Sequence, residues 1–152
     1  MQIVVLVVLM ALGLIAAALV RNQVPLTAAP GPAKRLKAYL SRNMAETRRD
    51  HPFPELELPC PAQPPEVLWE RLERAVARLG WQMMEADPGE RRLRAVVTTP
   101  LWRFKDDLEV RLIPASCGTE IHIRSSSRVG RGDLGANSRH ILDLLTALEQ
   151  AG

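Results

Sequence analysis

Four arginines, Arg103, Arg124, Arg128 and Arg139, occur with Asp106 and Asp133 around the glycine-rich stretch Gly130-Arg131-Gly132-Asp133-Leu134-Gly135. Guanidinium groups recognise carboxylates and phosphates through paired N–H donors, and neighbouring carboxylates fix the orientation of those donors. The combination reads as an anion pocket to which Ser125, Ser127 and Asn137 would add neutral hydrogen-bonding groups. The competing reading is a cross-strand charge ladder on a solvated sheet face. Arg124 and Arg128 are four apart and share a face in a continuous strand. Arg124 is therefore expected to anchor a partly buried network with Asp133 and Asn137, and Arg128 to hold the ligand.

Other chemistries fit less well. The glycines satisfy Gly-x-Gly-x-x-Gly, but a dinucleotide fingerprint needs a following strand and an acidic residue about 20 positions on. Only 17 residues follow Gly135, with no strand pattern among them. That leaves a conformational turn, or backbone N–H groups aimed at an anion at a helix start. Ser125 or Ser127 with His140 and Asp133 or Asp143 supplies the residue types of a serine hydrolase. There is no Gly-x-Ser-x-Gly turn, so the hydrolase stands as the alternative and no residue is given a catalytic role. Asp106 and Asp107 are strand neighbours pointing to opposite faces, suited to pairing with arginine rather than to sharing a cation. Cys60, Cys117 and the three histidines lack zinc-site spacing, so neither a metal nor a cofactor is expected.

Composition narrows the partners. The 152 residues are 47% hydrophobic and 24% charged, which excludes a wholly disordered chain, and only 4% aromatic, which leaves little base-stacking surface. Arg21 to Asp50 holds seven Lys/Arg against two Asp/Glu, whereas Glu66 to Gly152 holds 13 of each. The electroneutral C-terminal part argues against nucleic-acid binding. The basic part points to what the linker touches.

The elements that must position these residues follow from pattern. Ile3 to Val20 is 18 residues without a charge, about 27 Å of helix against a bilayer core of about 30 Å. It reads as a membrane anchor, with a cleaved signal segment as the alternative. Flanking Arg21, Lys34, Arg35 and Lys37 favour a cytoplasmic domain, with export left open. On the cytoplasmic side Cys60 and Cys117 are two independent thiols. After export they could pair, a closure contributing about 4 kcal/mol.

Three units result: an anchor over 1–21, a basic, Pro-rich linker over 22–65 and a globular domain over 66–152. Within the linker, Pro25, Pro30 and Pro32 suggest an extended exit. Leu36, Tyr39, Leu40 and Met44 form the apolar face of a basic amphipathic helix, suited either to anionic lipid or to packing on the domain. His51 to Pro65, with six prolines in 15 residues, reads as an extended strap.

Within the domain, Val67 to Leu79 has helical periodicity and Gly80 stops it. Strands are expected over Trp81–Ala86, Leu93–Thr98, Asp106–Ile113 and Glu120–Ser127, followed by a helix carrying Ile141, Leu142, Leu145 and Leu148 and capped by Asp133 or Asn137. A symmetric hairpin would set Leu112 opposite Ile121, Glu109 opposite Arg124, Arg111 opposite His122 and Asp106 opposite Ser127. The expected fold is α+β, a two-layer sandwich of a four-stranded antiparallel sheet with two helices on one face, preceded by a transmembrane helix. The domain should be monomeric and soluble once freed of the anchor.

Three stretches carry a resemblance: Thr98 to Asp107 with Arg103-Phe104-Lys105-Asp106-Asp107; Ile121 to Arg131 with Arg124-Ser125-Ser126-Ser127-Arg128-Val129-Gly130; and Gly132 to Ile141. Together they resemble the domain of unknown function family 1499, which joins an Arg-Phe-x-Asp-Asp element to Arg-Ser-x-Ser-Arg-x-Gly-x-x-Asp-x-Gly-x-Asn. The likeness spans about Pro65 to Leu148, departing at Ser126, where a small Ala is expected, and at His140, where Arg is expected. It implies a bacterial or plastid protein with a membrane or export segment and no assigned catalysis. The reading is thus a membrane-anchored accessory domain binding a small anion or a protein partner, with a hydrolase or a structural assembly factor as alternatives.

Overall fold

The uncharged run forms helix α1 (Gln2–Arg21) in a computed structural model that describes residues 1–100 and 103–152. Leu101 and Trp102, within the first motif stretch, lie outside the described residues. α1 is the one helix among the described residues long and apolar enough to cross a membrane. Its exit is not an extended spacer. Turns closed by Ala28 N–H to the Pro25 carbonyl (3.1 Å) and Gly31 N–H to the Ala28 carbonyl (2.9 Å) fold the chain back into α2 (Pro32–Ser41).

α2 ends before Met44, which instead opens β1 (Met44–Glu46). A 3₁₀ turn (Pro54–Leu56), α3 (Pro65–Arg78), β2 (Gln82–Asp87), β3 (Arg92–Thr98), β4 (Lys105–Ala115), β5 (Gly118–Ser127) and α4 (Ala136–Gln150) follow. The sheet has five strands rather than four, ordered β1-β5-β4-β3-β2, with every neighbouring pair antiparallel. β1 has three residues, too short to show alternation, so only its pairing with β5 reveals it.

The β4–β5 register is the one the symmetric hairpin requires: Leu112 opposite Ile121, Glu109 opposite Arg124, Arg111 opposite His122, Asp106 opposite Ser127. Leu93, Leu108, Val110 and Ile123 face a core completed by Leu72, Ala75 and Val76 of α3 and by Ile141 and Leu144 of α4. Segment 22–65 is more than a linker, since Tyr39, Ala45, Phe53 and Leu56 join that core. Prolines limit the strap to one short 3₁₀ turn without preventing its apolar side chains from being buried.

The strap also lines the hairpin. The Pro61 and Pro59 carbonyls accept from Thr119 N–H (3.1 Å) and Ile121 N–H (2.9 Å). Cys60 and Cys117 are joined in a disulfide with Cα atoms 6.0 Å apart, which corrects the expectation of independent thiols.

Candidate functional site

At the motif end of the sheet the core face turns polar. Asp106, Ser125 and Ser127 continue the inward-facing rows of β4 and β5, and α4 lays Asn137 and His140 over them. Asn137, with no exposed surface, accepts a hydrogen bond from Ser125 Oγ (2.7 Å) at Oδ1. Its Nδ2 donates within reach of Asp133 Oδ2 (2.7 Å), Ser127 Oγ (2.9 Å) and the Asn43 carbonyl (2.9 Å). One amide therefore ties β5, the glycine loop and the residue before β1 to α4.

Beside it, His140 Nε2 lies 2.9 Å from Asp106 Oδ2, and Trp81 meets the imidazole edge-on with ring centroids 6.1 Å apart. Asp106 is 1% exposed, and its Oδ1 has no partner among the described residues. His140 makes no hydrogen bond with Ser125 or Ser127 among the described residues, and Ser125 is fully buried with its proton directed to Asn137. The residue types of a hydrolase are adjacent here without the serine-to-histidine link that would activate a nucleophile.

The glycine loop faces inward as well. Asp133 N–H donates to the Arg42 carbonyl and Leu134 N–H to the Tyr39 carbonyl, each at 3.0 Å. The Asp133 carboxylate accepts from Gly135 N–H (2.8 Å) and Asn137 N–H (3.2 Å), occupying the anion position at the start of α4. Burial raises the Asp133 pKa, against the bonds from Gly135 and Asn137 that favour the carboxylate.

A Cβ at Gly132 would come 2.3 Å from the Leu40 carbonyl oxygen, and one at Gly135 (φ +84°) 2.2 Å from Val24 Cγ1. The glycines thus let α2 and the segment that follows α1 close on the loop. Asn22 Nδ2, donating to the Leu134 carbonyl at 2.9 Å, completes the seam.

The four arginines do not converge. Arg103 is exposed in left-handed backbone (φ +52°). Arg124 is exposed on the outer sheet face, opposite Glu109 and Glu46, and not in the Asn137 network. Arg128 grips Asp107 with two bonds (2.9 and 2.6 Å) on the same solvated face, and that guanidinium holds the Asp107 carboxyl below its usual pKa. Arg139 lies on α4 between Asp143 and Gln23 (2.6 Å to each). Gly130 is exposed and accepts from Asn43 Nδ2 at 3.0 Å. Asp106 and Asp107 do point to opposite faces.

Two features escaped the sequence reading. Arg35, one of the charges of the basic amphipathic helix, has no exposed surface. It binds both Glu55 oxygens (2.6 and 2.8 Å), the carbonyls of Ala28 and Ala29, and Tyr39 Oη, with its guanidinium 4.4 Å from the Phe53 ring centroid. Glu55 is one of two acids in the Pro-rich strap, and no local pattern pairs it with Arg35.

The second feature is a groove of about 370 Å³ along β1, walled by Arg42, Asn43, Glu46, Arg48 and His51. Neither Arg42 nor Arg48 has an ion-pair partner among the described residues. Burial keeps the His51 imidazole below its usual pKa, and its Nδ1 accepts from Phe53 N–H (2.9 Å). No group of three or more His, Cys, Asp or Glu suited to a metal occurs among the described residues.

Among solved structures, protein CV1439 from Chromobacterium violaceum is similar at 16% identity, with a TM-score of 0.45, over 72% of this chain and 94% of that one. No protein with a curated description matches the chain. The sequence model described as Protein of unknown function (DUF1499) matches residues 27–148, a span that includes α2, β1 and the strap as well as the two motifs. The chain therefore belongs to the DUF1499 family.

Proposed function

We propose that this is a membrane-tethered accessory domain, held on the outer side of the membrane, that recognises an anionic group on a small ligand or partner protein at the β1 groove. The observation that carries the reading is the pair Arg42 and Arg48, two cations without ion-pair partners on one groove at an open sheet edge. This moves the expected anion site away from Arg103, Arg124, Arg128 and Arg139, which are divided among a loop, the outer sheet face and α4 and are in part already paired.

The Cys60–Cys117 disulfide supports the outer side, because such bonds persist in oxidising compartments. Arg35, one of the four charges behind the cytoplasmic expectation, is moreover consumed by Glu55. A thermal-shift screen of phosphate- and carboxylate-bearing compounds on the full chain in detergent tests the binding. Stabilisation lost in Arg42→Gln and Arg48→Gln is expected; a wild-type chain that no compound stabilises overturns it. In intact cells, an impermeant maleimide should label Cys60 and Cys117 only after an impermeant reductant. Labelling only with permeant reagents overturns the outer location.

A further inference from the structure

The domain has no stand-off from its anchor. Leu19 of α1 is 8% exposed and Ile15, one turn earlier, packs against the same core, so the domain touches the helix that enters the bilayer. α2 follows within eleven residues of Arg21 and docks on the glycine loop that also receives Asn22 and Val24, which sets it beside the membrane end of α1.

With Arg35 and Tyr39 turned inward, the opposite face of α2 presents Lys34, Leu36, Lys37 and Leu40, of which the leucines are 37% and 46% exposed. In the loop that meets Leu40 through Gly132, Val129 (65% exposed) and Arg131 are exposed as well. No Asp or Glu occurs before Glu46 in the chain, and the nearby Asp133 carboxylate is turned into its own loop. We infer that the outer face of α2 is a second membrane contact: the two leucines enter the interface of an anionic leaflet and Lys34 and Lys37 meet lipid phosphates. Continuity with α1 and the absence of acids select a bilayer as the occupant over a protein or a soluble anion. The inference rests on α1 being embedded and is independent of the β1 groove.

The test uses the full chain in nanodiscs of phosphatidylcholine alone or mixed with phosphatidylglycerol. A fluorophore is attached in turn at Leu40→Cys, at Leu9→Cys and at Glu90→Cys on the far β2–β3 turn, with the native cysteines protected as their disulfide. A lipid-borne quencher should quench the Leu40 label several-fold more in anionic discs than in zwitterionic ones. Lys34→Gln with Lys37→Gln should abolish the difference, and the Glu90 label should stay unquenched throughout. A Leu40 label unquenched in both lipids, beside a quenched Leu9 label, overturns the α2 contact alone. An unquenched Leu9 label overturns the anchor and this inference together.

Discussion

Ser125 Oγ donates to Asn137 Oδ1 at 2.7 Å, and both residues are sealed from solvent. The bond places the most nucleophile-like serine of the motif in a structural role, linking the central sheet to α4. Asn137→Ala should cost about 1–3 kcal/mol, because it strands the buried Ser125 hydroxyl and removes the side-chain donor to Asp133, whose carboxylate keeps its two backbone N–H partners. Ser125→Ala should cost about 1–3 kcal/mol. Urea denaturation measures both, and Ser125 should remain unmodified by a serine-reactive phosphonate. Stoichiometric labelling would contradict the assignment.

Arg128 and Asp107 are about half-exposed partners on the outer sheet face. Arg128→Gln should therefore change stability by no more than about 1 kcal/mol, and Arg124→Gln by no more than that. A loss of several kcal/mol for Arg124 would place it in a buried network after all.

Gly132 faces backbone, which no rotamer change can relieve. Gly132→Ala should push α2 off the loop and lower stability by about 1–3 kcal/mol, with faster amide exchange across Tyr39 and Leu40. Unchanged exchange there would mean that the seam is not a close contact.

Much of the domain was legible because its signals are local. Alternation in Leu108, Val110 and Leu112, met by Ile121 and Ile123, marked the two strands and their inner faces, a symmetric turn between them supplied the register, and the Val67–Leu79 periodicity marked α3. The site was less legible, since its logic is long-range. Nothing near Arg35 reveals that Glu55, 20 residues on, will neutralise it, and three-residue β1 carries no period. The Gly-x-Gly-x-x-Gly spacing was visible, but what approaches those glycines is Leu40 and Val24, far away in sequence.

Burial raises the Glu55 carboxyl, but the Arg35 bonds outweigh it and hold the pKa below its ordinary value. A depressed folded-state pKa gives stability that is full above the unfolded-state value and is lost as pH falls through the folded one. Asp133 has the opposite sign: its raised pKa favours the folded state below the unfolded-state value, and that contribution is lost as pH rises through the folded one. Glu55→Gln should flatten the acid limb of a stability–pH curve, and Asp133→Asn should steepen it. An acid limb indifferent to Glu55 would show that its pair with Arg35 does not form.

The central claim, anion recognition along β1, is tested most directly by hydrogen exchange on the full chain in nanodiscs, with and without an acidic peptide. Asn43 and Thr47 bond to β5, so by antiparallel alternation the N–H groups of Met44 and Glu46 point to the open edge. Slower exchange at Met44 and Glu46, abolished by Arg42→Gln with Arg48→Gln, is the predicted result. Protection confined to Arg124 through Arg131, or absent everywhere, would contradict it.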